Sequence, residues 1–385
     1  MLGSKSIRDL SASRTPQTAR STSPSESELS TEGNAVSDLI STAVQAVPRQ
    51  HYTNHPQLGS VPQSTAQAAI ERDLARAAAK PGMRVMEIGT GTGYTGALLA
   101  EIVGSDGHVV SIDIDPSLTE RAGKLHAERG VSNLTLVTAD GHQGSPENGP
   151  YDVIIGWATP TRIPAAWVAQ CASGARIATP VYIAPVARTV GHITATVAAE
   201  GELTDPKLGP AVYVDMGVEI NTTLGIPLFF VDATSAGEVP AWVSVAWRDV
   251  TPEHDPANTL TMLRDADYSQ RVVFSDLEKE QAERWRDFRA YCVGHEGNER
   301  SNLTAFGTGA PEWTTAIGFS SGNNAAVLTA EGQLLGNRED SPAVAKLKDV
   351  IREWYDSGRP GLDSLEANIS DHPDGWTVSA YLSRY

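Results

Sequence analysis

Apolar positions in the first half of the chain alternate between two rhythms. Val85 to Ile88 is a short buried run ahead of a cluster of glycines, and Tyr94 to Val103 (YTGALLAEIV) then repeats at helical spacing. His108 to Ile114 (HVVSIDI) is a second strand, followed by a helix from about Pro116 to Arg129. Leu134 to Thr138 is a third strand and Asp152 to Trp157 (DVIIGW) a fourth, nearly all apolar, as a strand covered on both faces must be. Ala165 to Cys171 reads as a helix and Ala175 to Pro180 (ARIATP) as a fifth strand. Strands and helices that alternate at this length predict an α/β fold, a doubly wound parallel sheet of Rossmann-like form. Its ligands belong beyond the carboxyl ends of the strands.

The flanks read differently. Residues 1–34 are rich in Ser, Thr and Arg and poor in large apolar groups, which predicts a disordered tail. Order is expected from Ala35 to Ala46 (AVSDLISTAVQA), a helix closed by Val47-Pro48-Arg49. Ser64 or Thr65 is placed to cap a helix from Ala66 to about Ala79. Beyond the fifth strand, Thr189 to Val197 and Ala211 to Val218 alternate as antiparallel strands do. From about Gly225 come most of the tryptophans, short strands, and one clear amphipathic helix, Ala343 to Tyr355. The expected organisation is therefore a tail over 1–34, a ligand-binding domain over 35–225, and a C-terminal α+β domain over 226–385.

Composition narrows the function. A net charge of −17 argues against a phosphate backbone as the main partner, because nucleic acid is bound by clustered Lys and Arg. No apolar run is long enough to span a bilayer, and the N-terminus carries no apolar signal region, so a cytoplasmic protein without membrane contact is expected. The two cysteines, Cys171 and Cys292, are too few for a disulfide framework and lack metal-ligand spacing; no metal is expected.

The chemistry concentrates at Glu87-Ile88-Gly89-Thr90-Gly91-Thr92-Gly93-Tyr94. Strand, glycine turn and helix bring a nucleotide-like ligand against bare backbone. The glycines run G-x-G-x-G, and Glu87 stands two residues ahead of the first. A pyrophosphate has no use for a carboxylate there, whereas a cationic ligand with an amino-acid tail does, which describes S-adenosylmethionine. Asp113 ends the second strand, 20 residues past Gly93, where an acid meets ribose hydroxyls, and Ile114 follows it. Asp140-Gly141 ends the third strand, where the acid is placed for the adenine amino group. The expected cofactor contacts are Glu87, Gly89, Thr90, Gly91, Gly93, Tyr94, Asp113, Ile114, Asp140 and Gly141. Trp157, after the fourth strand, is a candidate substrate contact or a packing residue. His142, His254, Asp255, His295, Glu296 and Arg359 read as loop or helix-end residues without ligand spacing.

These segments resemble a family. MEIGTGTGY (Met86 to Tyr94), VSIDI (Val110 to Ile114), Asp140-Gly141 and the stretch from Tyr151 to Pro180 are similar to the protein L-isoaspartyl/D-aspartyl O-methyltransferases, over roughly residues 36 to 220. Ala46-Val47-Pro48-Arg49 is similar to that family's N-terminal entry motif. The resemblance implies a carboxyl O-methyltransferase with a peptide substrate. It also implies an active-site loop of the form T-I-S-Q-P, whose serine lies against the methyl group and the substrate carboxylate. An ungapped count puts Thr65 at that serine, and a one-residue shift puts Ser64 or Ala66 there; Gln67 follows as a substrate contact. Ala68 stands where the family has proline.

A second resemblance lies in Ile317 to Leu334 and Trp354 to Leu362, which look like the extra domain of actinobacterial homologues encoded with ribosomal peptide natural products (lanthipeptides, lasso peptides and graspetides). It implies methylation of an ordinary aspartate in a macrocyclised precursor, with collapse of the ester to aspartimide and on to isoaspartate. Three readings therefore stand: peptide tailoring, isoaspartyl repair, and a non-catalytic scaffold that binds cofactor or precursor.

Overall fold

The computed structural model describes residues 26–55, 59–61, 64–219, 225–247, 254–275, 278–296, 301–309 and 312–382. Most of the expected tail, residues 1–25, lies outside that set, but Glu26–Asn34 does not behave as tail. It extends the first helix, α1 (Glu26–Ala46), nine residues ahead of the expected start. Arg49–Thr53 forms the short α2 and Gln67–Ala77 forms α3. Neither Ser64 nor Thr65 caps α3. Ala66 is the N-cap and offers no side chain, which leaves both hydroxyls to the space in front of the helix.

The central sheet has seven strands. β1 (Arg84–Ile88) is followed by α4 (Tyr94–Val103), β2 (His108–Asp113) by α5 (Pro116–Glu128), and β3 (Leu134–Thr138) precedes β4 (Tyr151–Gly156). The short α6 (Ala165–Ala169) leads to β5 (Cys171–Tyr182), β6 (Val190–Val197) and β7 (Leu203–Pro210). The spatial order is β7-β6-β5-β4-β1-β2-β3, with β5-β4-β1-β2-β3 parallel and the last hairpin antiparallel. The order reverses beside β1, the switch point at which open α/β sheets bind ligands. Ala211 to Val218, expected as a strand, instead crosses the carboxyl ends of β4 and β5. Thr159 N–H donates to the Val214 carbonyl at 2.8 Å and Met216 N–H to the Thr159 carbonyl at 2.8 Å. Its alternation arises because one side packs inward while Val212 and Val214 stay exposed.

The C-terminal portion builds a second, antiparallel seven-stranded sheet from Ala233 to Gly336. It is covered by three helices: α7 (Pro256–Arg264), α8 (Glu278–Glu296) and α9 (Pro342–Asp356). Only α9 was legible from its spacing. A final hairpin, Leu365–His372 with Gly375–Leu382, reaches back to pair with Ile163–Pro164 of the first sheet's connection. One hydrophobic core runs through both portions, from Met86, Ile112 and Trp167 to Phe288, Phe319 and Trp354. Trp354 is fully buried against Phe274 and Phe288, and its ring N–H donates to the Pro360 carbonyl at 3.0 Å. Truncation of such an aromatic leaves a cavity and an orphan carbonyl. Trp354→Ala should cost about 3–5 kcal/mol of unfolding free energy with an unchanged denaturant slope, read by chemical denaturation.

Candidate functional site

The turn after β1 is built from bare backbone. Gly89, Gly91 and Gly93 all hold positive φ, at 97°, 51° and 82°. Gly89 N–H donates to the Ile112 carbonyl and Trp157 N–H to the Ile88 carbonyl, both at 2.8 Å, so the turn is tied to the strands on either side. Gly93 has a different task. A Cβ there would lie 2.9 Å from that of Ala122, so this glycine lets α5 pack against the start of α4 rather than meeting a ligand.

Asp113 ends β2 with its carboxylate turned toward the turn. Oδ2 accepts the Gly91 N–H at 2.9 Å and Oδ1 the Asp115 N–H at 3.1 Å. Burial raises its pKa, against those backbone donors, which favour the charged form. Each carboxylate oxygen has lone-pair capacity left for a hydroxyl from the cavity side. Asp140 is placed less directly. One oxygen accepts both the His142 N–H at 3.0 Å and a ring nitrogen of His142 at 2.8 Å, and of this pair it is Gly141 that lines the cavity.

Glu87 does not reach the cavity. It is fully buried beneath the turn, where Ser111 Oγ donates to it at 2.6 Å and the Trp157 ring N–H at 2.9 Å. Ser111 is also bonded to the Thr90 hydroxyl at 2.7 Å, which carries the network up into the turn. Burial pushes the Glu87 carboxyl up to about 7, against the hydrogen bonds of Ser111, Thr95 and Trp157. A Cβ on Gly96 would stand 2.8 Å from its Oε2, so α4 can cross here only with a glycine at that position.

The cavity in front of the turn has a volume of about 960 Å³. Ser64 and Thr65 form part of its wall, as do Tyr94, Ile114, Trp157 and the Ala211–Met216 crossing. Arg49 holds the 64–67 loop in place. Its guanidinium donates to the Thr65 carbonyl and to Gln67 Oε1 at 3.0 Å, and lies 5.2 Å over the Tyr94 ring. Gln67 is spent in that clamp and on Glu71, at 2.8 Å, and does not line the cavity. Ser64 Oγ is buried without a protein hydrogen-bond partner.

Of the candidates read from the sequence, Ser64, Thr65, Gly89, Thr90, Gly91, Tyr94, Asp113, Ile114, Gly141 and Trp157 come together on this cavity, whereas Glu87, Gly93, Asp140 and Gln67 stand behind it. Sequence reasoning missed Ser111, Gly96, and the arginines Arg188, Arg286 and Arg289, which line the cavity. Arg286, Arg289, Ala290 and Val293 follow i, i+3, i+4, i+7 spacing on α8, the signal that marks them as one face. His142, His254 and His295 join no group of metal ligands; among the described residues no cluster of three ligating side chains exists.

A parallel sheet with a glycine turn at its switch point and acids closing the next two strands is the Rossmann-like fold of S-adenosylmethionine-dependent methyltransferases. The model of the protein-L-isoaspartate(D-aspartate) O-methyltransferase family matches residues 26–216. A protein-L-isoaspartate O-methyltransferase of Methanothermobacter thermautotrophicus is 31% identical over 170 residues, 40% of this chain and 76% of that protein. The chain belongs to the protein-L-isoaspartate O-methyltransferase family.

Another relative, from Ignicoccus hospitalis, is 41% identical over 104 residues, 27% of this chain and 49% of that protein, so the chain spans only about half the length of that relative. Among solved structures, a protein-L-isoaspartate O-methyltransferase aligns at TM-score 0.42 and 19% identity, covering 90% of this chain and 96% of that one. A Plasmodium falciparum structure, titled a putative protein-L-isoaspartate O-methyltransferase in complex with S-adenosyl-L-homocysteine, aligns at TM-score 0.41 and 16% identity, over 50% of this chain and 96% of that one. The family's cofactor is S-adenosylmethionine. The residues here fit it: bare backbone at the turn, and at Asp113 an acid with lone-pair capacity left on the cavity side.

The raised Glu87 carboxyl has a signed consequence. Between its ordinary 4.5 and about 7 the folded protein binds more protons at this residue than the unfolded chain does, so its contribution to stability falls as pH rises through that window. His126 and His192, held near 4 mainly by burial, act oppositely; their contributions are lost as pH drops from 6.5 toward 4. The difference in unfolding free energy between Glu87→Gln and the parent isolates the glutamate. It should move in favour of the variant from pH 4.5 to 7 and stay flat above, as measured by denaturant titrations across pH.

Proposed function

We propose that this protein is an S-adenosylmethionine-dependent carboxyl O-methyltransferase acting on a peptide carboxylate. The observation that carries the reading is that the Gly89–Gly91 turn, Asp113 and the Ser64–Thr65 pair line one cavity. The cofactor supplies, when bound, a methyl group on a sulfonium centre. The turn from Gly89 to Gly91 would offer backbone to its methionyl part, Asp113 would accept from the ribose diol, and Ile114 with Gly141 would flank the adenine. A peptide carboxylate has a reference pKa near ~3.9 and is already ionised at neutral pH, so no general base is required of the chain. What the chain contributes is position. Ser64 or Thr65 donates a hydrogen bond to the non-attacking oxygen and aims the other, and Trp157 and Tyr94 exclude water. Orientation of this kind supplies up to roughly 7–11 kcal/mol of the barrier.

The acceptor we favour is the isoaspartyl carboxylate, because the family match covers the whole cofactor-binding portion of the chain. A second reading, an ordinary aspartate in a macrocyclic precursor whose ester closes to aspartimide, draws support from the C-terminal portion's share of the cavity wall and from Ala68 in the active-site loop. In both readings the chain divides near residue 225 into a cofactor-binding part and a peptide-recognising part. Both take peptide, not nucleic acid or lipid, and no helix of the described residues is long and apolar enough to cross a membrane.

Intact mass after incubation with S-adenosylmethionine separates them. A methyl gain on a linear isoaspartyl peptide supports repair. A methyl gain followed by methanol loss only on a macrocyclic aspartyl peptide supports tailoring. Transfer to neither, with retained cofactor binding, refutes catalysis. Ser64→Ala and Thr65→Val should differ, with the variant that removes the aiming hydroxyl losing on the order of 100-fold in kcat/KM at unchanged cofactor affinity. Asp113→Asn should weaken S-adenosylhomocysteine binding by about 10-fold or more in calorimetry, since the amide offers the diol one acceptor oxygen where the carboxylate offered two.

A further inference from the structure

Three arginines line the cavity, and nothing in the proposed transfer uses them. Arg188 stands in the turn between β5 and β6 with φ of 65°, and α8 contributes Arg286 and Arg289 together with Asp287; Asp215 and Glu219 line the same space. Among the described residues none of the three has a carboxylate within salt-bridge distance, whereas Arg72 and Arg76, nearer the floor, are both committed to Asp73. Arg289 keeps only a stacking contact, 5.1 Å over the Trp285 ring. Burial first, then the neighbouring Arg286 and Arg188, lowers its guanidinium to about 10, still charged at neutral pH. Guanidiniums crowded together repel one another, and Asp287, one carboxylate beside Arg286, offsets only part of that charge. That arrangement is costly unless an anion comes to them.

We propose that Arg188, Arg286 and Arg289 form an anion subsite that receives a second carboxylate of the peptide substrate, one that is not methylated. This rests on the methyl-transfer reading above and deepens it by naming the substrate's charge pattern: an acceptor carboxylate with another acidic group close by in the same peptide. The acceptor itself is a poor occupant. A guanidinium on the attacking oxygen would withdraw the electron density that must displace the sulfonium, and the cavity offers that oxygen neutral hydroxyls at Ser64 and Thr65 instead. Volume allows both groups at once, because about 960 Å³ is at the upper end of the roughly 300–1,000 Å³ that single small ligands occupy. Chain-wide charge does not supply the attraction. A protein at −17 repels an acidic peptide at long range, and beyond roughly 8–10 Å salt screens that field, so capture must come from cations at the wall itself. Exposed Val212, Val214 and Trp313 on the same cavity offer apolar contact for the rest of a peptide.

The test uses the full chain loaded with S-adenosylhomocysteine and two fluorescent isoaspartyl peptides that differ by a single Glu→Gln beside the acceptor. The parent protein should bind the acidic peptide about 10-fold or more tightly than the neutral one, with the gap closing as salt is raised. Arg286→Gln, on an exposed position that folding tolerates, and Arg289→Gln should erase that preference and leave the neutral peptide's affinity unchanged. Arg289→Lys should restore part of it. Equal binding of the two peptides by the parent, binding of neither, or equal losses for both peptides in the variants overturns the subsite. A fall in S-adenosylhomocysteine affinity in the same variants also overturns it, because the arginines would then serve the cofactor's own carboxylate. Methyl transfer to the peptides, followed by mass, tests the underlying reading separately: preferential binding without transfer leaves the subsite and removes the activity, and transfer without preference does the reverse.

Discussion

One buried carboxyl group organises the ligand end of this protein. Glu87 sits on the central strand, takes a hydrogen bond from Ser111 on the next strand and one from Trp157 beyond the strand on its other side, and leans on a helix that must carry glycine at position 96. A carboxylate buried so deeply is costly unless every lone pair is met or a proton is taken up, and this one uses both means. The gain is geometric. Three parallel strands are pinned at their carboxyl ends, the Thr90 hydroxyl is locked through Ser111, and the indole of Trp157 is held as part of the cavity floor. The turn can then present bare backbone without being loose, and Asp113 is fixed by the Gly91 N–H at the position where a diol would meet it.

The opposite side of the cavity is assembled from parts that are distant in sequence. The Ala211–Met216 crossing is tied down at Tyr213, whose hydroxyl donates to Asp73, and at Asp215, which accepts from the Tyr182 hydroxyl at 2.7 Å. Burial works against the charge on Asp73, yet the bonds from Arg72 and Tyr213 and the charge of nearby His192 keep its pKa below the usual carboxylate range. Over this frame comes α8, anchored in the shared core by Trp285, Phe288 and Val293. Because that core is continuous, the position of the arginines on α8 relative to Asp113 is set by packing rather than by a hinge.

What could be read from the sequence follows from where burial has a simple period. Segments buried on nearly every side and flanked by glycines, such as Val85 to Ile88 and Tyr94 to Val103, are bounded to within a residue by their apolar run. Segments that serve two environments mislead. Ser64 and Thr65 have the chemistry of a helix cap but stand ahead of Ala66, facing the cavity. Ala211 to Val218 alternates like a strand because one side is packed and the other lines an open site. The helix α8 hid because apolar residues surround much of its circumference, with Trp285, Phe288, Ala290, Tyr291, Cys292 and Val293 all buried, and a helix contacted on several sides has no clean stripe. Glu87 was legible as unusual. Its partners Ser111 and Trp157 were not, since a serine within an apolar strand has no local signature and only the register of β1 against β2 puts it beside the acid.

The charge distribution then separates two requirements that a carboxyl methyltransferase has to meet together. The attacking oxygen must stay electron-rich, which calls for neutral donors such as the hydroxyls of Ser64 and Thr65 rather than a cation. On the proposed reading the substrate is an anionic peptide approaching an acidic protein, which calls for cations somewhere along its path. Placing both functions on one residue would sacrifice the first to the second. In the proposed arrangement separate residues meet them. The hydroxyls of Ser64 and Thr65 would serve the acceptor and the guanidiniums of Arg188, Arg286 and Arg289 a second carboxylate, while Arg49 is turned onto the Thr65 carbonyl, Gln67 and the Tyr94 ring and so is spent on the loop. On that proposal the second portion of the chain, through α8, brings to the cavity two of the three cations that the Rossmann-like sheet alone would lack.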